Sequence, residues 1–387
     1  MIGKIRRWAI AVILALLWSL IMSPALAACT PAPSPGDPST EGEPPGQGGA
    51  PAGHSGHPAA PWYAAPAVPR LSPGPARPVI YLLARDRLPA RGGSNSWLVP
   101  LTVGAVSPRF PGSTSSPKDA APGGPYPVFQ ALKLLFDWPQ NDFLNTPVPP
   151  GLSVKGLTVN DRTGTLDLAQ VEPKGLDPVW ENLLIRSLVL TLTEDPAIDR
   201  VQILVDGKPV RALFGHVDTS RPLSRPPFIN LSGLGEGPEG GSPPADTIPL
   251  VLWYGDPQAA YMVPVTRYVP KTPDTVKAAL EQLSDPEPGL GRVLPDGARV
   301  RRATVREGTA TVDFSAELRT KHWGGTAGES QTINGIIYSV GGLPGVKKVN
   351  ILIEGRPGQS IAGHVVLEPR ERGLVNQVRL EDLPSFR

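Results

Sequence analysis

Val201-Gln-Ile-Leu-Val-Asp-Gly207 returns 148 residues later as Val349-Asn-Ile-Leu-Ile-Glu-Gly355. Each copy is an apolar, β-branched run closed by an acidic residue and a glycine, the composition of a buried strand entering a turn that needs positive φ. Each is followed at the same distance by Gly-His: Gly215-His216 and Gly363-His364. Working outward, Thr163-Gly-Thr-Leu-Asp-Leu168 matches Gly308-Thr-Ala-Thr-Val-Asp-Phe314, and Leu98-Val-Pro-Leu-Thr102 matches Met262-Val-Pro-Val-Thr266. The offset grows from 148 at the closing strand to 164 at the Val-Pro pair, as loop insertions produce. The sequence therefore describes a tandem pair of domains and not a solenoid. Copies of roughly 140 residues are each large enough to bury a core.

The first domain, residues 78–219, reads as strands at Pro78–Leu83 and Trp97–Val103, with Pro100 marking an edge or a bulge. Helical spacing follows over Val128–Phe136, then a hairpin about Asn160-Asp161, then a helix with Asp177 as N-cap and Pro178 at its first position, running to about Leu192. Strand Val201–Val205 closes the unit. The second domain, residues 248–368, repeats this order: strands Ile248–Tyr254 and Met262–Tyr268, a helix from an N-cap at Thr272, a hairpin about Glu307-Gly308, a helix over Ser330–Val340 and a closing strand. The expected fold class is α/β in the α+β sense: two tandem two-layer sandwich domains, each a mixed sheet with two helices. Residues 220–247 are expected to be a linker. Their glycines lack the lysine and following helix of a phosphate-cradling loop. The tail, 369–387, has little periodicity.

Residues 1–28 read as an export signal, in which Lys4, Arg6 and Arg7 precede an apolar run of about 15 residues. That run is short for a bilayer core of about 30 Å. The segment ends Leu26-Ala27-Ala28-Cys29, the pattern of a bacterial lipoprotein box, in which a diacylglyceryl group is attached to the cysteine. Cleavage after Ala27 is the competing reading. Cys29 is the only cysteine, so it has no disulfide partner and no companions for a metal site. Lipid attachment at Cys29 gives it a use, and several acyl chains anchor stably where one is marginal. Residues 29–77, rich in Pro and Gly and holding His54 and His57, are expected to be a disordered tether.

The chain has 387 residues, with 37 basic and 35 acidic side chains. Without the three cations of the signal the balance is close to neutral, which argues against a nucleic-acid partner. The histidines His54, His57, His216, His322 and His364 form no zinc motif, and only His216 and His364 hold repeated places. Asp167 and Asp313 also repeat, flanked by apolar residues at period two, and should face away from the core or bond a neighbouring turn. One acid per domain does not supply the carboxylate pair of a glycosidase. No catalytic residue, cofactor or metal is expected. The cluster Arg292, Arg299, Arg301, Arg302 and Arg306 is the most suggestive exposed feature. In a strand, Arg299 and Arg301 alternate onto one face, which with Arg302 could meet anionic wall polymer or lipid headgroups.

With strands, helix, hairpin, helix and strand in that order, twice, and with Val-Pro-Val-Thr-Arg-Tyr268, Thr-Val-Asp-Phe-Ser315 and the closing strand in place, the chain resembles the GerMN-domain family. The resemblance covers roughly residues 78–219 and 248–368. It implies a fold similar to the ring-building modules of secretion systems, and a role in sporulation or germination, in envelope remodelling or a mother cell–forespore complex. The expected protein is a non-enzymatic interaction module on the extracytoplasmic face of the cell membrane, held there by its lipid and contacting envelope or sporulation proteins. A peptidoglycan hydrolase or hydrolase activator, and a sensor lipoprotein coupled to a signalling kinase, are the alternative readings.

Overall fold

The computed structural model describes residues 67–71, 77–84, 97–104, 126–139, 143–169, 176–232 and 244–379. The export signal, Cys29, His54, His57 and the last eight residues lie outside them. The first half opens on an antiparallel ribbon. β1 (Val79–Ala84) pairs with β2 (Leu98–Thr102), Tyr81 opposite Pro100. After helix α1 (Tyr126–Phe136), the short β3 (Leu144–Asn145) joins the far side of β1. β4 (Ser153–Asn160) and β5 (Thr163–Ala169) form the expected hairpin, and α2 (Pro178–Leu192) carries the chain over to β6 (Arg200–Val205). Because a helical crossover separates them, β5 and β6 pair in parallel, Leu166 opposite Ile203. The two-residue strands β7 (Lys208–Pro209) and β8 (Leu223–Ser224) both pair with β6.

The second half repeats this. β9 (Thr247–Gly255) and β10 (Met262–Pro270) make the ribbon, α3 (Thr275–Leu283) follows, and β11 (Val300–Arg306) and β12 (Thr309–Phe314) make the hairpin. A single turn, α4 (Glu317–Thr320), precedes the crossover helix α5 (Thr326–Gly341). β13 (Lys348–Ile353) then lies parallel to β12, Val312 opposite Ile351, and β14 (Arg370–Glu371) pairs with β13.

The mixed α/β class stands, with one refinement: each half carries two sheets rather than one. The crossover helix occupies the outer edge of the ribbon. Thr191 Oγ1 accepts from Tyr81 N at 3.2 Å, Ser187 Oγ donates to Tyr81 O at 2.6 Å, and in the second half Trp253 N donates to Ser339 Oγ at 2.8 Å. Asp177 caps α2 as expected, accepting from Val179 N and Trp180 N. α3 starts later than its Thr-Pro signal suggests: Thr272 bonds Asp274 N, and the carboxylate of Asp274 is the N-cap, accepting from Lys277 N at 3.0 Å. Gly335 lets α5 settle onto the ribbon, since a Cβ there would stand 3.0 Å from Trp253 O and 2.6 Å from a Val293 methyl.

The two halves are joined by exchanged edges. β2 and β10 each carry a proline, Pro100 and Pro264, that cannot donate to a ladder. The segment leaving the first half lies along β10: Thr266 N donates to Asn230 O at 2.8 Å and Ser232 N to Thr266 O at 3.0 Å. The segment leaving the second half lies along β2 in the same way, with Thr102 N donating to Val375 O at 3.2 Å and Val378 N to Thr102 O at 3.0 Å. Each segment presents an asparagine to both ribbons. Asn230 Oδ1 accepts from Leu98 N (2.8 Å), while its Nδ2 donates to Leu98 O (2.8 Å) and Pro264 O (2.7 Å). Asn376 Oδ1 accepts from Met262 N (2.7 Å), while its Nδ2 donates to Met262 O and Pro100 O, both at 2.8 Å. The two clamps are thus related by the internal repeat. A single hydrophobic cluster runs through both halves, from Ile80 and Leu166 to Leu252 and Val312.

Parts of the stretches read as tether, linker and tail therefore belong to the fold. Buried Arg225 bonds Val68 O at 2.8 Å, Leu190 O and Tyr81 Oη at 3.0 Å, and Glu194 Oε1 at 2.5 Å. Glu194 also accepts from the Tyr81 hydroxyl at 2.6 Å and from Leu71 N at 2.8 Å. A buried pair with its lone pairs and protons so engaged offsets much of its desolvation.

Candidate functional site

The repeated aspartates are committed to backbone. Asp167 Oδ1 accepts from Gly207 N at 2.8 Å and Asp313 Oδ1 from Gly355 N at 2.7 Å. Each holds the turn after a closing strand, where Asp206 and Gly207 sit at φ 50° and 76°, and Glu354 and Gly355 at 53° and 71°. These are the left-handed positions that the acid-glycine pair foretells.

The Gly-His loops are held by two acids not singled out in the sequence. Glu181, buried in the first turn of α2, accepts from Phe214 N and His216 N, each at 2.9 Å. Glu329, buried at the start of α5, accepts from Ile361 N, Ala362 N and His364 N at 2.9 Å and from Val365 N at 3.2 Å. Their spacing of 148 residues, the same as at the closing strands, is the signal that could have found them. The loops use the histidine backbone N–H, and the imidazoles of His216 and His364 stay exposed. Burial pushes the Glu329 carboxyl up, but the N–H donors of Ala362, His364, Ile361 and Val365 outweigh it and hold it below the usual carboxylate range.

His322 is likewise occupied. Its Nδ1 accepts from Gly324 N at 3.0 Å, so Nε2 carries the proton toward Thr332 Oγ1 at 3.0 Å, whose hydroxyl donates to Val293 O at 2.8 Å. Burial lowers its pKa, which favours this neutral tautomer. Among the described residues, no three His, Cys, Asp or Glu side chains lie close enough to hold a metal.

The arginine strand departs from simple alternation. β11 has a bulge between Val300 and Arg302, so the exposed Arg301 is the extra residue. It turns to the outer face and pairs with Asp313 at 3.2 Å and Glu354 at 3.5 Å. The first half has the same bulge at Lys155, which pairs with Asp206. Arg301 is therefore part of the repeated frame. Arg302, opposite Asp313, and Arg306, opposite Thr309, share that outer face and have no ion pair among the described residues, and their counterparts in β4 are Gly156 and Asn160. Arg299 lies just before the strand, where its backbone bonds Ser315. The second copy thus adds free positive charge to a face that the first leaves neutral.

Residues 113–211 and 251–359 match the model of the Germane family, described as sporulation and spore germination. Together the two matches cover more than half of the chain, and the chain belongs to this family. It is 26% identical over 190 residues to the spore germination protein GerM of Bacillus subtilis (strain 168), an alignment covering 46% of this chain. It spans about half, 49%, of that relative's length. The solved tandem GerMN domains of the sporulation protein GerM from Bacillus subtilis superpose with a TM-score of 0.55 at 23% identity, covering 78% of this chain and 98% of that one. The likeness confirms the fold expected from the duplicated motifs.

Proposed function

We propose that this chain is a lipid-anchored interaction module on the extracytoplasmic face of the membrane, serving sporulation or germination by contact and breaking no bonds of its own. The observation that carries the reading is the asymmetry of the outer sheet faces: both copies spend Asp167, Asp313, Glu181 and Glu329 on holding loops, and only the second adds Arg302 and Arg306, which have no ion pair among the described residues. Two such cations on one strand face suit an acidic protein of the envelope, in remodelling or in a complex between mother cell and forespore. The Leu26-Ala27-Ala28-Cys29 pattern supports an anchor at Cys29. Among the described residues, no helix is long and apolar enough to cross a membrane.

A photo-crosslinker at Thr304, between the two arginines on the same face, tests this in sporulating cells. The expected result is a discrete protein adduct that disappears in the Arg302→Glu/Arg306→Glu variant. A diffuse polymer adduct would move the contact to anionic wall polymer. Release of soluble fragments from peptidoglycan by the purified chain would overturn the non-enzymatic reading.

A further inference from the structure

A cavity of about 560 Å³ opens where the two halves meet, walled by the end of α1 and β3 on one side and by α5 on the other. Its size falls in the range of small-ligand sites, which favour domain junctions. The walls combine aliphatic side chains such as Leu101, Leu144 and Met262 with the rings of Trp138, Tyr261 and Tyr338 and the neutral polar groups of Ser330, Gln331 and Asn334, and among the described residues no Asp, Glu, Lys, Arg or His lines the space. Ser330 and Asn334 have no hydrogen-bond partner among the described residues. Gln331 spends its Nε2 on Asp256 O at 2.6 Å and keeps its Oε1.

The internal repeat supplies a comparison. At the 148-residue offset, Gln331, Asn334 and Tyr338 correspond to Leu183, Arg186 and Leu190 on α2. There Leu183 and Leu190 pack into an apolar cluster with Val68, Tyr81 and Ile229, and Arg186 lies 4.9 Å from the centre of the Phe228 ring. The same helix face is closed by two leucines and an arginine stacked on a ring in one copy and lined with neutral polar groups in the other. Gln331 and Tyr338 thus stand where the first copy has leucines, and the half-buried Ser330, Gln331 and Asn334 turn polar groups to the cavity.

We propose that this cavity binds an uncharged oligosaccharide. The described walls carry no ionised group to meet a charged ligand. Amides and hydroxyls both donate and accept, as sugar hydroxyls do, and aromatic rings cover the apolar faces of a pyranose. An extended peptide is disfavoured, because the backbone it would pair with, Met262 N and O, is held by Asn376. This site does not depend on the arginine face.

The test is calorimetric titration of the purified chain with chitotetraose, cellotetraose and maltotetraose, and separately with a capped tetraalanine peptide. At least one tetrasaccharide is expected to bind saturably with a Kd on the order of 1 mM or tighter. Asn334→Leu and Ser330→Trp, each fully folded by urea titration, should weaken it about tenfold or more. No saturation by any tetrasaccharide up to about 10 mM, affinity unchanged in both variants, or binding of the peptide alone would each overturn the assignment.

Discussion

Replacing Asn230 by alanine should cost far more than the same change at Asn376, although each side chain makes three hydrogen bonds of nearly equal length. Asn230 is only 4% exposed, whereas Asn376 is partly open to solvent. Losing Asn230 strands Leu98 N, Leu98 O and Pro264 O between the two ribbons. A buried backbone group left unpaired costs about 1–3 kcal/mol, so some 3–5 kcal/mol is expected after partial relaxation. At Asn376 water can take over the freed groups, and about 1–2 kcal/mol is expected. Against a typical stability of about 5–15 kcal/mol, the first is a large fraction and the second a modest one. Urea unfolding followed by tryptophan fluorescence and circular dichroism measures both. Asn230→Asp sharpens the comparison, since it keeps an acceptor for Leu98 N but sets a carboxylate against two carbonyl oxygens. It should destabilise more than alanine at neutral pH and recover as the acid is protonated. Equal losses at both asparagines, or a loss below about 0.5 kcal/mol at Asn230, would refute the idea that these amides replace a ladder interrupted by prolines.

Three further outcomes are expected. Gly335→Ala in α5 should destabilise by about 1–2 kcal/mol in thermal unfolding, despite the helix propensity gained, because its Cβ meets Trp253 O and Val293; a rise in Tm would contradict the packing. Since the Glu329 carboxyl is held below its unfolded value of about 4.3, its contribution is complete above that pH and is lost as pH falls through the folded value. The stability gap between the native chain and Glu329→Gln should therefore be flat near neutrality and shrink below about pH 4, where a constant gap would disprove the linkage. Cys29→Ser should abolish incorporation of a labelled fatty acid and shift the chain from membrane to soluble fractions, whereas unchanged partitioning would exclude the lipid anchor.

Much of this fold is legible because its strands are apolar, short and duplicated. Asp177-Pro178 states where α2 begins, and the acid-glycine pairs state where β6 and β13 turn. What escapes pattern reading is side-chain substitution for backbone. Asn230 and Asn376 sit in aperiodic stretches, and only the recurrence of a β-branched residue before an asparagine, Ile229-Asn230 and Val375-Asn376, hints at their work. Glu181 and Glu329 look like ordinary first-turn acids until the loops folded over them are known. A bulge at Arg301 likewise breaks the period-two rule by one residue, enough to change which arginines share a face.

The duplication separates frame from function more sharply than either copy could alone. Positions where both halves agree, such as Lys155 and Arg301 at the bulge or Thr191 and Ser339 against the ribbon edge, are engaged internally and so explain the fold. Positions where one half departs without an internal reason are candidates for something outside the chain. Arg302 and Arg306 stand against Gly156 and Asn160, and Gln331 against Leu183; in each of these pairs the second copy bears the group that nothing in the described structure uses fully. Exchanged edges and the asparagine clamps bind the halves into one body, so the first copy braces the ribbon of the second.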